Sequence, residues 1–222
     1  MKLDVAIIDY KISNMFSVNS ACNYFGLNSR ITNDRDEILG ARAAILPGVG
    51  TFGPGIDHLG ELGLVPVIRE FIGSGKPFMG ICLGMQLLLS ESEEFGIHKG
   101  LGIIPGKVKK FTQPTGQEKI RIPHIGWNTV GDIKNELSAW PTPPLEGVKN
   151  GEYMYFVHSF YVIPDDKSLI LTLTDYAGIS FCSSFAHQNI FACQFHPEKS
   201  GKQGLEIFRN FAKSIQGVAS GA

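Results

Sequence analysis

The segment Gly80-Ile81-Cys82-Leu83-Gly84 places a cysteine between two glycines, where an apolar run from Pro77 to Ile81 gives way to a helical pattern starting at Leu83. A tight strand-to-helix turn leaves no room for a Cβ at the flanking positions and thrusts the central side chain over the sheet edge, as in a nucleophile elbow. The helix that follows points its free N–H groups and positive dipole end at the sulfur, favouring a thiolate and later an oxyanion. Such a nucleophile needs a base, and the base an orienting group. His196-Pro197-Glu198 follows the apolar run Ile190 to Phe195. On extended backbone, residues i and i+2 point the same way, so the Glu198 carboxylate can hold one ring N–H while the other nitrogen serves Cys82. Pro197 fixes φ between them. The expected chemistry is acyl transfer by Cys82, His196 and Glu198.

The other polar residues offer less. Cys22, Cys182 and Cys193 form no CxxC pair and read as buried free thiols in a reducing compartment. His58 and His98 read as solvated, His187 as a turn residue, and His124 and His158 as flanks of aromatic segments that can line a site. No spacing supports a metal cluster, and neither metal nor cofactor is expected. Gly48-Val49-Gly50-Thr51-Phe52-Gly53 fits the dinucleotide pattern G-x-G-x-x-G after a strand, but such a site uses the first strand–helix turn, which here has no glycine. In a cysteine-acyl enzyme this loop can instead turn a peptide N–H toward the oxyanion. A cysteine esterase of the α/β-hydrolase type would place its acid before its histidine, whereas here the acid follows at i+2.

These residues need a scaffold. Asp4–Ile8, Asn28–Thr32, Ala43–Leu46 and Pro77–Ile81 read as strands. Between and after them come helices at Met15–Phe25 (capped by Asn14 and closed by Gly26), from Asn33 to Leu39, at Gly55–Leu62, at Leu64–Ile72 and at Leu83–Leu89. Strands separated by helices pair in parallel through right-handed crossovers. Short β-rich runs follow at Val108–Phe111, Ile120–Ile122, Tyr153–Val157, Tyr161–Ile163, Leu169–Thr174, Ile179–Phe185 and Ile190–Phe195, favouring antiparallel pairing. A two-residue loop at His187-Gln188 would set Cys182 opposite Cys193. Gly201–Ser214 reads as a closing amphipathic helix, and the proline-bearing stretch Asp132–Asn150 as a surface excursion. The expected fold is α/β: a flavodoxin-like, doubly wound, mainly parallel sheet with an antiparallel extension. One domain over residues 1–215 is expected, with 216–222 a disordered tail.

Composition bounds the rest. Across 222 residues, 43% are hydrophobic and 18% charged, enough to bury a core, and Lys+Arg number 20 against 21 Asp+Glu. A net charge of −1 lacks the basic footprint of a nucleic-acid binder. No apolar run approaches the roughly 18 residues of a membrane span, and the acids Asp4 and Asp9 interrupt any signal-peptide pattern, so a cytoplasmic chain is expected.

Three segments together, Pro47-Gly48-Val49-Gly50, Gly80–Gln86 and Phe195-His196-Pro197-Glu198-Lys199-Ser200, resemble the class I (triad) glutamine amidotransferases over nearly the whole chain. Pro123-His124-Ile125-Gly126-Trp127-Asn128 and Tyr155–Phe160 resemble, within that family, the glutaminase subunits of histidine biosynthesis. The resemblance implies that Cys82 attacks the side-chain amide of L-glutamine and His196 protonates the leaving ammonia. It also implies an oxyanion hole from Leu83 and from Val49 or Gly50, and contacts from Gln86, Ser159 and Phe160 to the substrate's amino-acid end. Ammonia would pass to a (βα)8-barrel cyclase partner that makes imidazole glycerol phosphate and an aminoimidazole carboxamide ribotide. Trp127, Asn128 and Lys199 match positions near that partner. Lys11 and Ser13 stand where the family has glycine, on a loop facing the partner. The same motifs also resemble paralogous subunits that supply ammonia for surface-sugar modification, and a non-catalytic binding module could share the fold.

Overall fold

The computed structural model describes residues 3–12, 15–112, 121–131 and 143–217. Its first half alternates strand and helix: β1 (Val5–Ile8), α1 (Met15–Tyr24), β2 (Ser29–Thr32), α2 (Arg35–Gly40), β3 (Ala43–Leu46), α3 (Phe52–Glu61), α4 (Leu64–Gly73), β4 (Phe78–Ile81) and α5 (Leu83–Leu87). The second half is mostly strand: β5 (Leu89–Ser92), β6 (His98–Lys99), β7 (Ile104–Lys110), β8 (His124–Val130), β9 (Glu152–His158), β10 (Phe160–Pro164), β11 (Ile170–Tyr176), β12 (Ile179–His187) and β13 (Ile190–Cys193). A 3-10 turn, Pro197–Lys199, then leads into α6 (Gly201–Gly217).

Among the described residues, one sheet runs β2-β1-β3-β4-β13-β12-β10-β7-β5-β6, with β11 branching from β12, and β8 pairs with β9 in a second sheet. The pairs β1–β2, β1–β3, β3–β4 and β4–β13 are parallel, and β13 turns back antiparallel to β12. This is the expected doubly wound sheet with an antiparallel extension. Both faces of the parallel part are covered, which explains why β1, β3 and β4 are apolar throughout rather than alternating. Val5 and Ile7 pack with Val18 of α1 and Phe208 and Phe211 of α6. Ala6 and Ile8 face the opposite layer, with Ile38, Leu59, Ile68 and Met85.

Several expectations need correction. The helix expected over Leu83–Leu89 stops at Leu87 and the chain turns into β5, because the carbonyls of Leu87, Leu88 and Leu89 accept hydrogen bonds from residues 101–104 instead of continuing the helix. β5 and β7 pair in parallel, so the extension is not purely antiparallel. The β12–β13 loop is Gln188-Asn189, which sets Ser184 opposite Cys193, and Cys182 instead pairs with Val162 and Leu173. The Asn189 side chain donates to the carbonyls of Ile72 and Lys76, so this tertiary anchor fixes the register. α3 starts three residues earlier than expected, at Phe52. His58 and His98 are half-buried rather than solvated, and His187 ends β12. Arg121 and Ile122 are not strand, while Asn14, Ile120 and residues 132–142 and 218–222 lie outside the described residues.

The second sheet is tied down by two buried imidazoles. His124 and His158 face each other across β8 and β9, with His124 Nδ1 3.0 Å from His158 Nε2. His158 Nδ1 lies 2.8 Å from the Phe160 carbonyl, which can only accept, so the proton sits on Nδ1. Nε2 then accepts from His124, and Asn128 Nδ2 lies 3.4 Å from the outer His124 nitrogen. Burial pushes His124 down to about 4 and His158 down to about 3.

Both rings are therefore neutral in the folded chain but titrate near 6.5 once unfolded. Between about pH 6.5 and 4 the unfolded chain binds more protons, so stability falls as pH drops through that window, by up to ~1.4 kcal/mol per pH unit for each histidine. Urea midpoints measured from pH 7 to 4.5 should fall less steeply for His158→Gln; an unchanged slope would mean that the pair is already charged in the fold. A second expectation concerns the turn after β4. A Cβ on Gly84 would stand 1.8 Å from the Leu46 carbonyl oxygen, whereas one on Gly60 would meet nothing within 4 Å. Gly84→Ala should cost about 3 kcal/mol in urea unfolding and Gly60→Ala should add about 0.5 kcal/mol; equal midpoints would refute the close packing.

Candidate active site

β4 ends at Ile81 and α5 starts at Leu83, so Cys82 alone makes the turn, with φ 54° and ψ −110°. For a residue bearing a side chain this left-handed φ is strained, and the strain is held by the surroundings. The Cys82 N–H donates to the Cys193 carbonyl at 2.8 Å, which locks the turn to β13, and the Gln86 N–H donates to the Cys82 carbonyl. Gly84 lets α5 lie directly against the end of β3.

β13 runs parallel beside β4 and delivers the second half of the site. The His196 N–H donates to the Tyr155 carbonyl at 2.9 Å, while Ser200 Oγ donates to the His196 carbonyl and accepts from the Tyr155 N–H. His196 Nδ1 lies 2.7 Å from Glu198 Oε1, and the two side chains are only 3% and 2% exposed. The backbone between them is a 3-10 turn rather than the extended segment expected from sequence, and it still brings i and i+2 together. Burial opposes charge on His196, but the Cys82 sulfur and the bonded Glu198 carboxylate outweigh it and raise the imidazole to about 10. The outer nitrogen, Nε2, is buried without a completed hydrogen bond, as is Glu198 Oε2. Cys82, His196 and Glu198 are thus brought together as expected. Burial pushes the thiols of Cys22, Cys182 and Cys193 well above their ordinary value, that of Cys22 to about 12, which keeps these three protonated.

Cys82 opens into a cavity of about 660 Å³ whose lining also includes Val49, Gly50, Leu83, Gln86, Ser159 and Phe160, a size suited to a small molecule. The expected oxyanion and substrate residues therefore line one cavity with the sulfur. The N–H groups of Leu83 and Val49 are engaged elsewhere, donating at 3.4 Å to the carbonyls of Gly48 and Ile12. Gly50 takes φ +109°, open to glycine but rarely to other residues. Tyr10, fully buried, donates to the Pro47 carbonyl at 2.7 Å and fixes the start of this loop.

Lys199 lines the same cavity, and Trp127, 54% exposed, stands edge-on to Tyr155 at its rim. Asn128 donates to the Asp175 carbonyl. Lys11 is exposed on the loop after β1 with φ 69°, the left-handed conformation for which glycine is the easy residue, and its N–H donates to Asp9 Oδ1. Two functional candidates escaped sequence reading. Glu94 is buried in the cavity wall and accepts the Phe52 N–H at 2.6 Å, so a carboxylate occupies the start of α3, where a dinucleotide phosphate would sit. Burial raises its pKa. Gln194 is fully buried with Nε2 3.5 Å from Cys82 Sγ. It sits two residues before His196 in an apolar run, and that polar interruption was the available signal.

A larger recess of about 900 Å³ between β10 and β11 shares no lining residue with this cavity. No group of three or more metal-ligating side chains occurs among the described residues, and no helix there is long and apolar enough to cross a membrane.

The arrangement can activate a thiol, hold an imidazolium beside it and enclose a small substrate. Comparison with known proteins agrees. Imidazole glycerol phosphate synthase subunit HisH of Syntrophotalea carbinolica is 45% identical over 93% of this chain and 98% of its own length. The HisH subunit of Pyrococcus furiosus is 47% identical over 94% and 98%. Among solved structures, PurLQS from Thermotoga maritima (TM-score 0.67, 20% identity, 99% and 100% covered) and a glutamine amidotransferase (TM-score 0.70, 15% identity, 96% and 98% covered) share the fold. The family model for glutamine amidotransferase class-I matches residues 6–215, and with that match the chain belongs to this family of amide-hydrolysing enzymes.

Proposed function

We propose that this chain is the glutaminase subunit of an imidazole glycerol phosphate synthase, hydrolysing L-glutamine to glutamate and ammonia in histidine biosynthesis. The carrying observation is a thiol on a strained elbow beside a buried imidazole that is itself hydrogen-bonded to a buried carboxylate. The Cys82 thiolate attacks the carboxamide carbon, and the C=O electrons move onto oxygen. As the intermediate collapses, the C–N bond breaks, and the proton on His196 Nε2 goes to the departing nitrogen, leaving a γ-glutamyl thioester and ammonia. Neutral His196 then takes a proton from water as that water attacks the thioester, releasing glutamate and restoring the thiolate–imidazolium pair. Glu198 holds the ring throughout and compensates its positive charge.

Glu94 and Gln86 take the substrate's ammonium. Both Gln86 N–H bonds are already directed at protein acceptors, at the Phe160 carbonyl (3.1 Å) and Gln194 Oε1 (2.9 Å), so its free oxygen can only accept. The backbone at Ser159 and Phe160, with Lys110 nearby, takes the carboxylate end. Leu83 and Val49 or Gly50 supply the oxyanion donors once the Gly48–Gly50 loop turns. The exposed Ile125, Trp127 and Tyr153 on β8 and β9, beside the cavity, support docking of a (βα)8-barrel cyclase that receives the ammonia. Lys199 and Lys11 are assigned to the same interface, whereas the Asn128 side chain turns the other way, toward His124 and the Asp175 carbonyl, and holds β8 beneath that face.

Cys82→Ala should abolish glutamine hydrolysis and glutamine-dependent synthesis while synthesis in the complex continues with ammonium salts; loss of both in a correctly assembled complex would sink the two-subunit model. Glu94→Gln should raise the KM for glutamine at least tenfold with a smaller change in kcat, because a bound ammonium loses its charge partner. An unchanged KM would place the ammonium elsewhere.

A further inference from the structure

One buried side chain touching the sulfur has no part in the mechanism above. Gln194 is fully buried, its backbone N–H donates to the Ser183 carbonyl at 2.9 Å, and its carboxamide lies between Cys82 Sγ and Gln86. An amide can face either way, and which end meets the sulfur decides its effect. Here the neighbours decide. The Phe160 carbonyl can only accept, so the group 3.1 Å from it must be the Gln86 NH2. That NH2 has a second proton, which goes to the atom of Gln194 at 2.9 Å, so that atom must be Oε1. Gln194 is thereby left with its NH2 toward Cys82 Sγ, at 3.5 Å.

We infer that Gln194 is a further catalytic residue: a fixed N–H donor to the Cys82 sulfur, oriented through Gln86 by the Phe160 carbonyl, that stabilises the nucleophile as thiolate. The inference rests on Cys82 being the nucleophile. A hydrogen bond to an ionised acceptor is about twice as strong as a neutral one and favours the charged form. In a site with no exposed surface on the amide, water cannot replace it. The donor is neutral, so it assists the thiolate without adding charge beside the His196 imidazolium. Other titratable groups around the sulfur are His196 backed by Glu198, Cys193 beneath it, Tyr10, His158 and, on the cavity wall, Glu94, Lys110 and Lys199. None of them is altered by changing Gln194.

The test is the pH dependence of Cys82 alkylation by iodoacetamide in the full chain, located by peptide mass spectrometry. Gln194→Met keeps length and removes the donor. Its alkylation midpoint should rise by about one pH unit, with labelling about tenfold slower below the wild-type midpoint. Gln86→Met frees the Gln194 amide to rotate and should shift the midpoint the same way by less, with Gln194→Glu shifting it further than either. A loss of packing alone would lower thermal stability without moving the midpoint. An unchanged or lowered midpoint in folded Gln194→Met overturns the inference. If that variant does not fold, an unchanged midpoint in Gln86→Met does so. Failure of wild-type Cys82 to label at any pH would instead fail the nucleophile reading.

Discussion

The contact on which the site depends is the approach of α5 to the end of β3, where Gly84 leaves no space for even a methyl group between itself and the Leu46 carbonyl. With α5 pressed there, one residue must reverse the chain between β4 and α5. Cys82 does so in a backbone conformation that costs of order 1–3 kcal/mol. The strain persists because the N–H of Cys82 is held by β13, on the far side from β3. Parallel pairing of β13 with β4 therefore braces the elbow, and three residues after that brace the chain delivers His196 through its bond to β9. Cys82 and His196, the proposed nucleophile and base, 114 positions apart in sequence, are set by two adjacent strands of one sheet.

A second constraint is directional. The Phe160 carbonyl is an acceptor with two lone pairs, and it receives both the His158 ring N–H and the Gln86 amide. Every donor and acceptor linked to it then has one assignable sense. On one branch the order runs from His124 through His158, and on the other from Gln86 to Gln194 and the sulfur. The two buried histidines are neutral for this reason as well as for burial: a proton added at His158 Nε2 would oppose the His124 Nδ1 proton across β8 and β9, and one added at His124 Nε2 would oppose the Asn128 amide. Polarity at the nucleophile and the tautomers of the second sheet thus share one backbone oxygen.

The parallel half of the fold was legible because buried strands such as Val5-Ala6-Ile7-Ile8 and Ala43-Ala44-Ile45-Leu46 are apolar on both faces and end in turn residues. The proposed triad drew attention for a related reason: its three members follow the ends of β4 and β13 and have glycine or proline beside them. What stayed hidden depends on partners distant in sequence. Leu87-Leu88-Leu89 reads equally as helix or strand, and only the hydrogen bonds from residues 101–104 decide. The loop Gln188-Asn189 has no glycine to announce it, and its register comes from Asn189 reaching the end of α4 and the start of β4. β8, with His124, Gly126, Asn128 and Thr129, lacks an apolar run because it pairs with β9 alone and buries only His124 and Val130 at its two ends. Glu94 and Gln194 carry no motif of their own, and each acquires its meaning only from the wall of the cavity.

The oxyanion loop shows how one peptide unit can carry both halves of a switch. The Gly48 carbonyl accepts the Leu83 N–H, and the Val49 N–H donates to the Ile12 carbonyl; that carbonyl and that N–H belong to the same planar peptide. Rotating this single unit breaks both hydrogen bonds together and exchanges a carbonyl oxygen for an N–H on the side facing Leu83. At 3.4 Å both bonds are long, and a well-formed amide bond contributes only about 1 kcal/mol net, so the rotation opposes little hydrogen bonding. The unit turns about the Cα atoms of Gly48 and Val49, with Gly50 following at φ +109°, and Tyr10 pins Pro47 just before it. Under the proposed reaction, the same rotation that frees the Leu83 N–H presents a second donor beside it. In that reading the thiol, its base and the amide that donates to the sulfur stand ready, and the oxyanion donors are the part still to be assembled.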